Sequence, residues 1–166
     1  TIFMALGAWR MSRQRVLTRR IAAIEALGTT TVLCVDKTGT LTMNRMTLRK
    51  LVVGDKIYDL HAQAGEPLPE DFHLLLEFGL LASEREAFDP IDRAFLDAGG
   101  RHLANTEHLH PDWTVVRQYP LTPELLAISQ AWRSGSGQAL PVGAKGAPEA
   151  IVDLCHLPEP DRGEIL

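Results

Sequence analysis

The residues best suited to chemistry form the stretch DKTGT at positions 36–40, directly after an apolar run at positions 29–35. The run is short and rich in β-branched residues, which is typical of a strand buried on both faces of a parallel sheet. Asp36 therefore stands at the carboxyl end of a predicted strand, where ligands of α/β sheets bind. Its carboxylate can act as a nucleophile towards phosphorus and form an acyl phosphate.

The residues that follow Asp36 suit a phosphate group. Thr38 and Thr40 offer hydroxyls and backbone amides to phosphate oxygens, and Gly39 lets the backbone approach closely. Lys37 adds a positive charge. The pattern predicts phosphoryl transfer to a carboxylate. The residues alone also fit an aspartate that closes a turn after a strand, because Asp-x-x-Gly turns are common.

The composition describes an ordinary globular chain of one domain or slightly more. Of its 166 residues, 45% are hydrophobic and 23% are charged, which is enough apolar material for a core. The net charge of −4 gives no indication of a nucleic-acid partner. Cys34 and Cys155 do not have the spacing of a metal site, so we expect reduced core thiols of a cytosolic protein.

The first 20 residues contain five arginines and no acidic residue. Positions 1–9 are apolar, but a helix that spans a membrane needs about 20 residues. An apolar segment followed by arginines is typical of the cytoplasmic end of a membrane helix. An amphipathic helix packed against a core explains the same residues equally well. Helical spacing continues over positions 10–27, and Gly28 is the expected stop.

Beyond position 46 the pattern changes to hairpins and helices. Strands at 47–53 and 56–60 flank a Gly-Asp pair and predict a hairpin. Further helices are expected at 69–83, 89–98 and 148–155, and further strands at 113–121, 125–132 and 138–142. Asp89 is the expected N-cap of the helix that should close at Gly99 and Gly100. Antiparallel pairs dominate, which predicts an α+β fold: an antiparallel sheet flanked by helices, preceded by a helix and one strand.

Two motifs resemble those of one family. DKTGTLT at 36–42 closely resembles the phosphorylation motif of P-type ATPases, the cation pumps that form an aspartyl phosphate. KGAPE at 145–149 resembles the signature of their nucleotide-binding domain, and the two motifs stand in the family's order. The resemblance implies that Asp36 accepts the γ-phosphate of ATP with the help of Lys37, Thr38 and Thr40. It also implies that the Asp36 carboxylate and the Thr38 carbonyl hold Mg²⁺.

The same resemblance implies a nucleotide pocket. Lys145 and Gly146 would line the ATP site. A weaker match, DPIDRAFL at 89–96, places Asp92 where the family has an acid that contacts the adenine or ribose end of the nucleotide. An acid exposed in the first turn of a helix explains Asp92 equally well.

The chain departs from the family in the predicted pocket. Leu121 stands where a phenylalanine would stack on adenine, and the nearby residues Pro123, Leu125 and Leu126 bring no positive charge. Losing an aromatic contact and a charge-assisted hydrogen bond lowers affinity by roughly two orders of magnitude.

Other residues are candidates to replace what the pocket has lost. Alternate residues of a strand share a face, so Arg117 and Tyr119 should point the same way as Leu121. We expect Tyr119 or Trp132 to supply an aromatic face and Arg117 a positive charge.

The resemblance also implies a domain organisation. Positions 1–28 would be the end of the fourth membrane helix and a stalk helix, 29–46 the start of the phosphorylation domain, and 47–166 a truncated nucleotide-binding domain. Partners would be ATP and the remaining phosphorylation, actuator and membrane domains of the pump, with the transported cation bound elsewhere and these residues at the cytoplasmic face. The family's later Thr-Gly-Asp and Gly-Asp-Gly-x-Asn-Asp segments do not occur here, so we expect nucleotide binding without turnover.

Two alternatives belong to other functional classes. A phosphatase of the haloacid-dehalogenase type needs a second aspartate where this chain has Thr38. A regulatory or docking domain with a degenerate nucleotide site would explain the leucines of the predicted pocket. The residue pattern leaves the transported ion and the oligomeric state open. His102, His108 and His110 form a loose cluster that we interpret as part of a surface loop.

Overall fold

The computed structural model describes residues 2–135, 140–158 and 161–163. The chain divides into two compact units between Asn44 and Arg45. The first unit holds two short helices and the turn that carries Asp36. The second unit holds the remaining helices and strands.

The first unit begins with two helices that pack on each other, α1 (Ile2–Arg13) and α2 (Ile21–Thr29). The single helix predicted over positions 10–27 is wrong, because the chain leaves the helical path between them. Arg15 has a φ of 63°, which ends α1. Like charges spaced four residues apart weaken a continuous helix, and Arg15 and Arg19 are such a pair.

The strand predicted over positions 29–35 is also wrong. After α2 the backbone forms no strand, and the side chains of Val32 and Leu33 are 77% and 69% exposed. A strand needs a neighbour for its backbone hydrogen bonds. The described residues of the first unit contain no other strand that could provide one.

The structure bears on the predicted burial of the two cysteines and on the presence of membrane-spanning helices. Cys34 and Cys155 are free thiols, but both are exposed, so the prediction of core thiols is wrong. Within the described ranges, no helix combines the length and the apolar character that crossing a membrane requires.

The second unit begins with the hairpin predicted from the sequence. Strands β1 (Lys50–Val53) and β2 (Lys56–Asp59) pair antiparallel around Gly54, which has a φ of 56°. Leu51 and Tyr58 are opposite each other in this register and are both buried.

Two helices pack beside the hairpin. A 3₁₀ turn (Glu70–Phe72) leads into α3 (His73–Leu81), and α4 (Pro90–His102) follows. Asp89 caps α4 as predicted, since its carboxylate accepts the N–H of Ile91 at 2.7 Å. Together with the hairpin these elements bury one apolar core: Leu51, Tyr58, Leu60, Leu68, Phe72, Leu76, Ala98 and Leu103.

Helix α4 does not stop at the glycines where its end was predicted. It continues through Gly99 and Gly100 to His102. A Cβ on Gly99 would lie 2.5 Å from the Cδ1 atom of Leu80, whereas a Cβ on Gly100 would meet nothing. Gly99 therefore allows α3 to pack closely against α4 instead of ending the helix.

The rest of the second unit is a three-stranded sheet and a short helix. Strands β3 (Thr114–Tyr119), β4 (Ala127–Arg133) and β5 (Val142–Gly146) lie in that order and pair antiparallel. Helix α5 (Pro148–Leu154) follows. The antiparallel sheet with its helices confirms the predicted α+β class.

The last strand lies further along the chain than predicted. The sequence placed it at 138–142, but β5 begins at Val142. Residues 136–139, on which much of that prediction and part of the Gly-Ser turn before it fall, lie outside the described ranges. Lys145 is consequently inside the strand and not beyond its end.

The sheet contacts the carboxyl end of α3. A Cβ on Gly143 would lie 2.7 Å from the backbone of Leu81 and Ala82, so β5 runs directly against the helix. The indole N–H of Trp132 donates to the carbonyl oxygen of Leu81 at 2.7 Å. This packing brings the end of α3 to the face of the sheet on which Lys145 lies.

We predict opposite effects for alanine at the two neighbouring glycines of α4. Gly99→Ala should lower the free energy of unfolding by about 1–3 kcal/mol, because the new methyl group collides with Leu80. Gly100→Ala should raise the free energy of unfolding by about 0.5–1 kcal/mol, because the new methyl group has space and alanine favours a helix more than glycine does. Urea denaturation measures both, and equal effects would contradict the close packing of α3 and α4.

Candidate functional site

The turn that carries Asp36 is closed by local hydrogen bonds. The N–H of Lys37 donates to Asp36 Oδ1 at 3.0 Å, and the N–H of Thr42 donates to the Lys37 carbonyl at 3.0 Å. Gly39 adopts a φ of 79°, a conformation that glycine reaches without strain. The Thr42 hydroxyl also donates to the Lys37 carbonyl, at 3.3 Å. The DKTGTLT segment is therefore a defined turn although no strand precedes it.

The carboxylate of Asp36 is exposed at the start of this turn. One oxygen accepts the Lys37 N–H, and this contact orients the carboxyl group. Thr38 and Thr40 lie within the turn and are exposed as well. Hard oxygen donors of this kind suit Mg²⁺, so the Asp36 carboxylate and the Thr38 carbonyl fit the metal that the resemblance implies.

In the second unit, Lys145 of β5 forms an ion pair with Asp92 in the first turn of α4. The two side chains are 18% and 8% exposed, so the pair is largely removed from solvent. Lys145 Nζ also donates to the Ser83 hydroxyl at 3.3 Å. The backbone N–H of Glu84 donates to Asp92 Oδ2 at 3.2 Å. The sequence suggested neither Ser83 nor Glu84, because nothing in their local pattern marks them as polar partners of Lys145 or Asp92.

The surroundings of Lys145 have two opposing effects on its pKa. Burial lowers the pKa of Lys145, and the nearby carboxylates of Asp89 and Glu84 act in the opposite direction. The interpretation of Asp92 as a solvated surface acid is wrong, since that side chain is buried and paired. The strand, the helix and the end of α3 thus converge on one cation.

Gly146 follows Lys145 at the end of β5. A Cβ on this residue would lie 2.4 Å from the carbonyl oxygen of Leu126 and 2.5 Å from Ala127 Cα. Any side chain here would push β4 and β5 apart. Gly146 therefore has a packing role at the position where the resemblance implies a nucleotide contact.

Tyr119 and Arg117, predicted to replace the lost aromatic contact and the lost positive charge, lie on the other face of the sheet. Tyr119 pairs with Ser129, and Ser129 pairs with Ala144, which is the residue before Lys145. Because paired residues share a face and neighbours alternate, Tyr119 and Lys145 point to opposite faces at the same end of the sheet. The guanidinium of Arg117 lies 4.9 Å from the centre of the Tyr119 ring, so these two share a face as expected.

Trp132 does not offer an open aromatic face. It is 2% exposed, and its indole N–H is bonded to the backbone of α3. The guanidinium of Arg85 lies 5.0 Å from its ring centre. Tyr119 and Leu121, by contrast, are 43% and 57% exposed and accessible to a ligand.

The structure also reveals a contact that the sequence did not indicate, between two of the clustered histidines and a glutamate of α3. His108 and His110 are 16% and 18% exposed in their side chains, so their interpretation as surface-loop residues is wrong. Both contact Glu77 of α3, at 2.5 Å and 2.7 Å. The hydrogen bond to Glu77 raises the pKa of His108, although burial acts in the opposite direction. His102, the third histidine of the predicted cluster, is not among these contacts.

We predict strong energetic coupling between Lys145 and Asp92. Lys145→Met should cost about 3 kcal/mol of stability, because it leaves a buried carboxylate without its partner. Adding Asp92→Leu should restore most of that loss. The exposed pair Lys56 and Asp71 is the matched control, where Lys56→Met should cost at most about 1 kcal/mol. A double-mutant cycle by urea denaturation measures the coupling, and additive losses would contradict it.

Curated relatives of the chain carry a consistent description. The chain is 31% identical, over 186 aligned positions, to proteins named "Probable cation-transporting ATPase F" from Mycobacterium bovis and Mycobacterium tuberculosis. It is 33% identical over 143 positions to "Cation-transporting ATPase pma1" of Synechocystis, and 46% identical over 76 positions to "Calcium-transporting ATPase 1" of Schizosaccharomyces pombe. No model of a protein family matches the chain.

These alignments cover much of the chain but little of the relatives. The mycobacterial alignment includes 93% of this chain and 20% of the relative, and the Synechocystis alignment includes 84% and 15%. The Schizosaccharomyces alignment includes 46% of the chain and 8% of the relative. The chain thus spans about a fifth of the length of the mycobacterial relatives. The names agree with the motifs at positions 36–42 and 145–149, and the chain belongs to the P-type cation-transporting ATPases as a segment of such a protein.

Proposed function

We propose that this chain is the ATP-binding and phosphate-accepting part of a cation pump. The observation that carries the proposal is the meeting of Lys145 and Asp92, which are 53 positions apart in sequence and were both assigned to the nucleotide site from motifs alone. A buried lysine beside the end of a helix attracts an anionic ligand. The pump's membrane, actuator and remaining phosphorylation domains would be partners of these residues at the cytoplasmic face.

In the proposed reaction, Asp36 is the nucleophile. A carboxylate oxygen attacks the γ-phosphorus of ATP, the bond to the oxygen that bridges the β- and γ-phosphates breaks, and ADP leaves with that oxygen. The hydrogen bond from Lys37 N–H holds one carboxylate oxygen, so the other is available to attack. Thr38 and Thr40 would donate to phosphate oxygens, and the Lys37 ammonium would offset their charge. Mg²⁺ held by Asp36 and the Thr38 carbonyl would neutralise charge on the phosphates.

In the proposed nucleotide site, Lys145 provides the positive charge and Gly146 keeps the backbone close. Asp92 would contact the adenine or ribose end of the nucleotide. Tyr119 lies at the same end of the sheet but points to the opposite face, and its strand is two strand spacings, or about 9–10 Å, from the strand of Lys145. A nucleotide that crosses the end of the sheet would reach both Lys145 and Tyr119, with Leu121 and Arg117 beside the aromatic ring.

A second candidate function is a regulatory or docking domain with a degenerate nucleotide site. The observation that favours it is the exposure of two leucines in the connection between β3 and β4. Leu121 and Leu126 are 57% and 51% exposed, where the family places aromatic and basic residues. These side chains would form part of an apolar contact surface. Titration with ATP distinguishes the two functions.

We predict saturable ATP binding, with and without Mg²⁺, that depends on Lys145. Backbone amide NMR shifts should cluster near Lys145, Asp92 and Tyr119, because these residues line the proposed site. Lys145→Ala should abolish them, since it removes the positive charge. Lys50→Ala on the exposed side of the hairpin is the matched control and should leave the shifts unchanged.

The same titration separates the individual roles. Tyr119→Ala should weaken binding by about 0.5–1.5 kcal/mol if the ring stacks on the base. Unchanged affinity would remove Tyr119 from the site but leave Lys145 in it. A folded sample without any shifts at millimolar ATP would overturn the proposed ATP site and favour the docking function.

We predict that these 166 residues release no phosphate in repeated cycles. Hydrolysis of an aspartyl phosphate needs a group that activates water, and Thr38 stands where phosphatases of this chemistry have an aspartate. A colorimetric phosphate-release assay with Asp36→Asn as control tests this. Sustained release that disappears in Asp36→Asn would show the prediction to be wrong.

A further inference from the structure

A group of histidines and glutamates lies where the loop after α4 meets the start of α3. We propose that Glu70, His73 and His108 form a binding site for a divalent transition-metal ion, with Zn²⁺ as the best-fitting ion. Each residue offers one ligand atom, and the three atoms lie within 4.8 Å of one another. Glu70 and His73 come from adjacent turns at the start of α3, and His108 comes from the loop 35 positions later than His73.

The strongest support is a buried nitrogen without a hydrogen-bond partner. His73 is 8% exposed, and its Nε2 lies 2.8 Å from the carbonyl oxygen of Leu68. Because a carbonyl oxygen only accepts, Nε2 carries the proton and Nδ1 of the neutral ring keeps its lone pair. Nδ1 is buried with no hydrogen-bond partner among the described residues, and Glu70 Oε2 lies 3.2 Å from it. A lone pair that faces a carboxylate oxygen is unfavourable unless a cation lies between them.

His108 is prepared in the same way. Its Nδ1 lies 2.5 Å from Glu77 Oε2, and the carboxylate can only accept, so Nδ1 carries the proton. In the neutral form of the ring the lone pair then lies on Nε2, which is 3.4 Å from Glu70 Oε1. Histidines that bind metals typically donate their other N–H to a backbone carbonyl or a carboxylate. His73 uses the carbonyl of Leu68 for this purpose, and His108 uses the carboxylate of Glu77.

The distances fit a small ion with four ligands. Zinc bonds of 2.0–2.1 Å at tetrahedral angles place neighbouring ligand atoms about 3.4 Å apart. Nδ1 of His73 lies 3.2 Å from one oxygen of Glu70 and Nε2 of His108 lies 3.4 Å from the other, so an ion bound by this carboxylate is within reach of both nitrogens. Two imidazoles and a carboxylate are ligands that Zn²⁺ accepts in proteins, and the second carboxylate at Glu77 balances the remaining charge.

The site has an access route and a structural consequence. The side chain of Glu70 is 78% exposed, so an ion can enter from solvent and keep a water as its fourth ligand. His108 is also held by two hydrogen bonds: its backbone N–H donates to the Thr106 hydroxyl at 3.3 Å, and its ring contacts Glu77. A bound ion would join the loop between α4 and β3 directly to the start of α3. Glu77 also contacts His110, whose ring stacks on Trp113 at 3.7 Å, so the whole loop would gain stability.

The test is a Zn²⁺ titration of the full 166-residue chain after dialysis against a chelator. We expect one ion per chain, a rise in melting temperature, and, with Co²⁺ in place of Zn²⁺, the intense visible absorption of a four-coordinate ion. Glu70→Gln should weaken Zn²⁺ binding at least about tenfold, because it replaces a charged ligand by a neutral one. Since Glu70 is exposed, this variant should fold normally, and far-ultraviolet circular dichroism verifies it. His108→Gln should have an equal or larger effect.

Controls separate this site from other ligands on the chain. Cys34→Ser with Cys155→Ser removes the exposed thiols, and His61→Gln removes an exposed imidazole elsewhere; neither should change the affinity. Glu77→Gln should weaken binding about tenfold through the orientation of His108. Absence of saturable binding at millimolar Zn²⁺ would overturn the proposal. It would mean that a proton on His73 Nδ1, donated to Glu70, is enough to stabilise that contact. Binding that survives Glu70→Gln but is lost with the thiols would also overturn the proposal.

Discussion

Helix α3 is held between its neighbours at a distance that only glycine permits. Gly99 of α4 faces Leu80 on one side of the helix, and Gly143 of β5 faces the backbone of Leu81 and Ala82 at its end. Interiors are close-packed, so a methyl group at Gly99 would displace the Leu80 side chain, and one at Gly143 would push β5 away from the backbone that follows α3. The indole hydrogen bond from Trp132 to Leu81 fixes the sheet at this spacing. The positions of α4 and β5 relative to each other therefore depend on where α3 lies.

The polar groups of the second unit follow from that placement. Just beyond the end of α3, Ser83 accepts a hydrogen bond from Lys145 and the N–H of Glu84 donates to Asp92, and the start of α4 pairs Asp92 with Lys145. The other end of α3 carries His73, and its middle carries Glu77, which reaches the loop after α4. One helix thus organises two separate polar clusters, one around a lysine and one around imidazoles. Both are largely buried, so their hydrogen bonds are stronger than the same contacts in water.

Local sequence patterns predicted most elements of the second unit, whereas contacts between residues far apart in the chain could not be predicted from the sequence. The hairpin around Gly54 and the cap at Asp89 depend on neighbours in the chain, and both were predicted. The motifs indicated Lys145 and Asp92 separately, but only the folded chain brings them together. The strand before Asp36 failed because a strand is stable only with a pairing partner. The glycines of α4 were taken for a stop because a tight contact with another helix has no local signature.

Within the Lys145–Asp92 pair, the Asp92 carboxylate competes with any anionic ligand for the ammonium group of Lys145. Asp92 is attached to the same polypeptide, so it is always present next to the lysine at a high effective concentration. Any anion that needs Lys145 must displace this carboxylate or share the ammonium group with it. The observed dissociation constant then equals the intrinsic one divided by the fraction of molecules in which the lysine is free. Selectivity follows as well: a weak anion such as chloride gains little from displacing Asp92, whereas a polyanion gains enough at several oxygens to do so.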